Sequence, residues 1–186
     1  MPRAALSPTA VVDVALQVID EAGPAALTLA AVASRAGVAT PSLYKHVRNL
    51  AELRDLVSAR VMNDLADRVG DAVLGRSADD AIRAVMTTWR QFAREHPHRY
   101  GALLQTPEPR TAEAGARLLD VIRAALRAYG MTDSAAIHAT RCLRAAVHGF
   151  AVLEVDGGFR LPENLDESYE LLIHMTITGM RTPRSA

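Results

Sequence analysis

Residues Leu27 to Leu50 read L-T-L-A-A-V-A-S-R-A-G-V-A-T-P-S-L-Y-K-H-V-R-N-L, and this stretch decides the fold. Thr28 is a capping hydroxyl ahead of a short helix that carries Leu29, Val32 and Ala33 inward and stops at Gly37. Thr40 is a second cap. Pro41 follows at the first helical position, where its missing N–H costs nothing, and opens a helix of about seven residues. Two short helices joined by a tight glycine turn and braced by a third make a helix-turn-helix. The packing demands of that motif are met here: Ala33 is small where the helices cross, Gly37 supplies a positive φ, and Val38 plugs the turn into the core. Leu43 and Val47 face inward on the second helix.

The opposite face of that helix presents Thr40, Pro41, Ser42, Tyr44, Lys45 and His46, too many polar and aromatic groups for a plain core helix. A helix fits the major groove, where hydroxyls read base edges and the apolar carbons of Pro41 or Ser42 can touch a thymine methyl. Tyr44 and Lys45 suit phosphates, which set register more than sequence. Lys45 is the only lysine among 21 basic residues. An ammonium is a compact charge matched to one phosphate oxygen, whereas a guanidinium favours planar bidentate partners. An alanine-rich three-helix scaffold with a half-buried Tyr44 meets the same spacing, so these residues alone leave a helical scaffold or interaction protein open.

The bulk composition has no pull of its own. The 186 residues carry 21 basic and 21 acidic groups, so any nucleic-acid site must be local. The length suits one generous domain, or a small module attached to a larger one. One cysteine, Cys142, excludes an internal disulfide and fits a reducing compartment. No apolar run approaches the roughly 18 residues of a membrane span, and the N-terminus lacks the apolar core of a signal peptide, so a cytoplasmic protein is expected.

Outside the quoted stretch, apolar residues recur at helical spacing and no segment alternates with a period of two. The first helix opens at Ser7-Pro8, carries Val11, Val14, Ala15, Val18 and Ile19 inward, and stops at Gly23-Pro24. Asn49 with Glu52 resembles a capping box and starts a long helix whose stripe is Leu50, Leu53, Val57, Val61, Leu65 and Val69. Further helices are expected over Asp79 to Glu95, Arg99 to Gln105, Ala112 to Tyr129, Asp133 to Val155 and Asp166 to Met180, with T-P-E-P-R (106–110) a loop. The expected architecture is all-α, about nine helices in total. An N-terminal helix-turn-helix domain, 1–50, is joined by the long helix to a larger helical effector-binding and dimerisation domain, 51–186.

The pattern of small residue, Gly-Val turn and L-Y-K-H-V ending resembles the DNA-binding domain of the TetR family of bacterial repressors. The resemblance implies base or phosphate contacts for Thr40, Pro41, Ser42, Tyr44, Lys45 and His46, with Thr28 capping the preceding helix near a phosphate. Two places depart, one at residue 50 and one at residues 29 and 30. Leu50 stands where many relatives carry a phosphate-binding lysine, and Leu29 and Ala30 replace polar readers, which implies a shallower salt dependence. Arg48 and Arg3 are the candidates to compensate, and a solvated surface arginine is the other reading of each.

The segment A-V-H-G-F-A-V-L-E-V-D-G-G-F, Ala146 to Phe159, resembles a C-terminal domain type of that family with an H-G-[FL]-x-x-L-E pattern on its penultimate helix. The resemblance implies a homodimer built on the last two helices, with Ala145, His148, Gly149, Val152, Leu172 and Met175 at the interface. It also implies a small-molecule effector that shifts the spacing of the paired reading heads. The effector candidates are Met86, Trp89, Phe92, Tyr100, Leu103, Leu104 and Leu119, an apolar set with aromatics, as a pocket wall requires; ordinary core packing is the competing reading. The function expected is a ligand-released repressor on a palindromic double-stranded DNA operator. A regulator without a ligand is the alternative.

No catalytic role, cofactor, metal or membrane partner is expected. His138 and Cys142 are four apart on one helix but lack further ligands, and no HExxH, phosphate loop or nucleophile elbow occurs.

Overall fold

The structure is a computed structural model that describes residues 6–103 and 109–181. Among the described residues there is no strand. The helices are α1 (Pro8–Ala22), α2 (Leu29–Ala36), α3 (Leu50–Val73), α4 (Ala78–Glu95), α5 (Pro97–Gly101), α6 (Pro109–Arg127), α7 (Asp133–Val155) and α8 (Leu165–Arg181). Short 3-10 helices lie at Pro24–Ala26 and Thr40–Lys45. The all-α expectation is met. The chain groups into two compact units, Met1–Asn63 with His96–Gly115 and Asp64–Glu95 with Ala116–Ala186.

In the first unit, local chemistry sets each boundary. Ser7 caps α1 by accepting from the Ala10 N–H at 3.1 Å, and Pro8 takes the first helical position. Gly23 closes α1 at φ 79°. Thr28 caps α2 through its hydroxyl, which accepts from the Ala31 N–H at 3.0 Å. Gly37 then adopts the left-handed conformation, φ 66° and ψ 33°, with its N–H donating to Ser34 and that of Val38 to Ala33, the paired bonds of a Schellman turn. Val38 itself is only half-buried, so the turn is pinned by these backbone bonds more than by the side-chain plug expected. Val11, Ala15, Ile19, Val32, Leu43, Leu53, Val57 and Val61 form the core, while Val14 and Leu50 of the expected stripes are half-buried.

Helix α5 belongs to this unit. Pro97 starts it directly after His96, two residues earlier than expected, because proline suits a first helical position. Its Arg99 binds Asp20 of α1, and the His98 ring lies 3.0 Å from the Asp20 carbonyl. The expected end at Gln105, and most of the T-P-E-P-R loop, lie outside the described residues. The next helix, α6, opens at Pro109, ahead of the expected Ala112, again with proline in the first turn.

In the second unit α4 packs on both α7 and α8. Ile82, Val85, Met86, Trp89 and Phe92 are buried on α4 as their spacing requires, facing a core that includes Leu143, Val147, Ile173 and Ile177. The Tyr169 hydroxyl donates to the Met86 carbonyl at 2.6 Å, and the Tyr129 hydroxyl to Asp79 at 2.7 Å. Burying each large apolar side chain contributes roughly 1.5 to 3 kcal/mol.

Candidate nucleic-acid interface

The second element of the helix-turn-helix is a 3-10 helix, a correction to the plain helix expected. Ala39 accepts from the Ser42 N–H and Leu43 from the His46 N–H, both at 2.8 Å and both i to i+3. The segment's Pro41 contributes no N–H. Two residues anchor it. Leu43 is 0% exposed and Val47 2%, so the face that carries them is committed to the core.

What remains points outward. Pro41, Tyr44 and Lys45 are exposed, Tyr44 to 56%, and Thr40, Ser42 and His46 are half-buried at the edges of the face. An aromatic ring so open to water gains nothing from the fold, and is available to a partner. Thr28 is exposed at the start of α2 with its oxygen already accepting a bond, which leaves its O–H as a donor.

Arg48 and the start of α3 form a connected group. Asn49 caps α3, its Oδ1 accepting from the Glu52 N–H at 2.8 Å. The Glu52 carboxylate reaches back to the Arg48 N–H at 2.6 Å and to Arg48 Nε at 3.2 Å. The capping box read from the sequence therefore exists with its return bond one residue earlier than the usual pattern. Arg48 is bound at one edge, yet its side chain is 81% exposed and its remaining N–H groups face water. Arg3 lies outside the described residues.

The effector candidates are distributed over both units. Met86, Trp89 and Phe92 are 0%, 3% and 2% exposed on α4, and Leu119 is half-buried on α6. Tyr100 (buried) and Leu103 (half-buried) belong to the first unit, and Leu104 lies outside the described residues. A cleft of about 570 Å3 in the second unit is lined instead by polar groups, among them Thr87, Arg90, Gln91, Arg94 and Tyr169. Arg90 escaped the sequence reading. Its signal was position: it sits four residues after Met86, on the buried stripe of α4.

The dimer candidates share two adjoining helices. Ala145 and Met175 are exposed, and His148, Gly149, Val152 and Leu172 half-buried, with exposed Leu153 and Leu171 beside them. Burial and the nearby Arg144 charge hold the His148 imidazole below its ordinary pKa. Among the described residues no group of three or more potential metal ligands assembles, and no helix is long and apolar enough to cross a membrane.

A Gly-turned pair of short helices, braced by α1 and offering a polar and aromatic face over a buried Leu-Val pair, defines a helix-turn-helix DNA-binding regulator. Comparison makes the class specific. Residues 11–55 match the description "Bacterial regulatory proteins, tetR family", and residues 82–176 match "Tetracyclin repressor-like, C-terminal domain". The chain is 32% identical over 181 residues to the uncharacterized HTH-type transcriptional regulator YobS of Bacillus subtilis (strain 168), covering 96% of this chain and 95% of that one. It is 34% identical over 158 residues to the uncharacterized HTH-type transcriptional regulator Rv0681 of Mycobacterium tuberculosis, covering 83% and 72%. A TetR variant from Acinetobacter baumannii AYE, solved in complex with minocycline, has the same fold with a TM-score of 0.78 at 20% identity, covering 98% of this chain and all of that one. This chain belongs to the TetR family of transcriptional regulators.

Proposed function

We propose that the protein is a repressor that binds a palindromic operator as a homodimer and is released when a small apolar molecule favours a head spacing the groove cannot accept. The observation that carries it is the divided recognition element, Leu43 and Val47 buried beneath an open face of Pro41, Tyr44 and Lys45. Thr40, Pro41 and Ser42 read base edges; Tyr44, Lys45, His46, Thr28 and Arg48 hold phosphates. Residues 1–50 are the reading module, and 51–186 carry effector and dimer functions.

One six-residue element reads too few base pairs for specificity, and two-fold pairing doubles the contacts. Two helix glycines, Gly149 inside α7 and Gly179 in the last turn of α8, support the pairing. A Cβ placed on Gly149 or Gly179 would meet nothing within 4 Å among the described residues, so neither glycine is required by packing there. Inside a helix, as at Gly149, glycine costs roughly 0.5 to 1 kcal/mol relative to alanine. Close approach of a second backbone supplies the missing reason.

Full switching between heads that bind and heads that do not requires roughly 5.5 kcal/mol of differential effector affinity. Met86, Trp89, Phe92 and Leu119 are the walls assigned to that effector in the second unit. The tight burial of Met86, Trp89 and Phe92 also favours a second reading, a regulator that works without a ligand.

The deciding experiment is a gel shift of the protein's own promoter region with the double variant Tyr44→Ala, Lys45→Ala. Binding should vanish while the dimer persists by sedimentation. Unchanged binding would sink the assignment.

A further inference from the structure

The H-G-F-A-V-L-E stretch was assigned above only to dimerisation, yet the structure divides it into two faces. Phe150 and Glu154 enclose Arg90 of α4, while His148, Gly149 and Val152 are half-buried and Leu153 is exposed. The Arg90 side chain is only 9% exposed. Glu154 accepts from its Nε at 2.7 Å and its Nη2 at 2.6 Å, a bidentate pair that uses the planar guanidinium fully. On the other side Nη1 lies 2.8 Å from Asp166 in the first turn of α8.

Aromatic rings complete the enclosure. The guanidinium carbon stands 4.6 Å from the Tyr169 ring centre and 5.3 Å from that of Phe150. Phe150 in turn meets both Tyr169 and Phe159 at 4.8 Å. The D-G-G-F turn exists to bring Phe159 there. Gly157 takes a φ of 67°, the Gly158 N–H donates to the Leu153 carbonyl at 2.6 Å, and a Cβ on Gly158 would come within 2.9 Å of Leu153 Cδ2. Glycine favours the left-handed turn at 157.

Arg90 of α4 is thus gripped by α7 and by α8, with Phe159 of the intervening turn packed on Phe150 and Arg94 standing 3.7 Å from Glu154 and 3.6 Å from Asp166. Loss of Glu154 would leave this guanidinium with only the exposed Asp166 to offset its burial, so α4, α7 and α8 are held as a set. We propose that Arg90 is the positioning residue that fixes α7 and α8 relative to α4, so that the face offered to a second copy is set by the helix carrying Met86, Trp89 and Phe92. This deepens, and rests on, the homodimer reading. It gives movement of α4 a direct route to the interface, because α4 cannot turn about its axis without drawing Glu154 and Asp166 with it.

The test uses the full chain as Arg90→Lys, as Glu154→Gln, as the pair Arg90→Met with Glu154→Met, and as the control Glu170→Gln, which removes the exposed partner of Arg83. Sedimentation equilibrium reads self-association, and amide exchange reads protection of α8, of the rest of the second unit and of the head. The single variants should weaken self-association about tenfold or more and lower protection selectively in the first turns of α8, with the head and the control unchanged. The methionine pair should regain thermal stability by apolar packing without regaining self-association. Self-association within about twofold of wild type, or a uniform loss of protection across the unit in step with melting temperature, overturns the proposal. If the wild-type chain is monomeric at every concentration, the homodimer reading falls and α8 decides alone: selective loss of its protection supports the role of Arg90, and its absence overturns it.

Discussion

The guanidinium of Arg99 donates through Nε and Nη2 to the two carboxylate oxygens of Asp20, each at 2.7 Å, so the short helix α5 is clamped to the C-terminal turn of α1. The hydrogen bond from Arg99 is the largest influence holding the Asp20 carboxyl below its usual pKa, against the opposing cost of burial. A carboxylate whose folded pKa is depressed adds stability that is complete above its unfolded value, about 3.9, and is lost as pH falls through the lower folded one. Thermal unfolding of wild type and Asp20→Asn from pH 7 to pH 2 should therefore show a gap that is constant above about pH 4 and closes below it. Both side chains are partly exposed, so the gap is screened and shrinks with added salt.

Lys45 is open to water and stands alone among the charges of the recognition element. Lys45→Ala should weaken operator binding across all sequences alike. With one phosphate contact per protomer, the slope of log affinity against log salt should become shallower by roughly 1.8 for a dimer. A titration of promoter-fragment affinity over salt checks this, and an unchanged slope removes Lys45 from the phosphate contacts.

Leu43 holds the recognition element down and is fully buried. Leu43→Ala should cost about 2 to 5 kcal/mol, read by urea unfolding, and should reduce DNA binding through loss of the folded head. Tyr44→Ala, at the next residue but on the open face, should leave the unfolding free energy within about 0.5 kcal/mol of wild type.

Gly37 sits at φ 66° between the two helices. Gly37→Ala places a Cβ in the left-handed region and should cost roughly 1 to 2 kcal/mol. Gly37→Asn should recover part of that loss, since asparagine tolerates this conformation. Chemical unfolding of the three chains gives the order.

Gly149 separates intrachain from interchain causes. A Cβ there meets nothing within 4 Å among the described residues, so Gly149→Ala should raise the stability of α7 by up to about 1 kcal/mol in dilute solution. The same change should weaken self-association if a second backbone approaches the position. Sedimentation and thermal unfolding of one variant read both effects, and strengthened self-association would place the interface elsewhere.

Much of the helical layout was legible because it is written in local chemistry. Ser7-Pro8, Gly23, Thr28, Gly37 and Asn49 each act on the backbone within a few residues, and each is found at the boundary its chemistry implies. The starts of α5 and α6 were misplaced by two or three residues because proline was read as a breaker at positions where it begins a helix. The open face of the recognition element was legible for a related reason: burial of Leu43 and Val47 dictates which way Tyr44 and Lys45 must point.

Other features depend on which distant segments meet. The geometry of Thr40–Lys45 was not readable, because α and 3-10 helices differ only in which nearby carbonyl each N–H selects. The roles of Phe150 and Glu154 were not readable either, since Arg90 is 64 residues from Glu154 and looks from its spacing like an interruption of an apolar stripe. By itself the sequence determined the all-helical class, the reading head and the family pattern, through capping, turn conformation and helical periodicity. Only the tertiary structure decided that one buried arginine joins α4, α7 and α8, because the cost of burying a charge is met by partners that no local rule can supply.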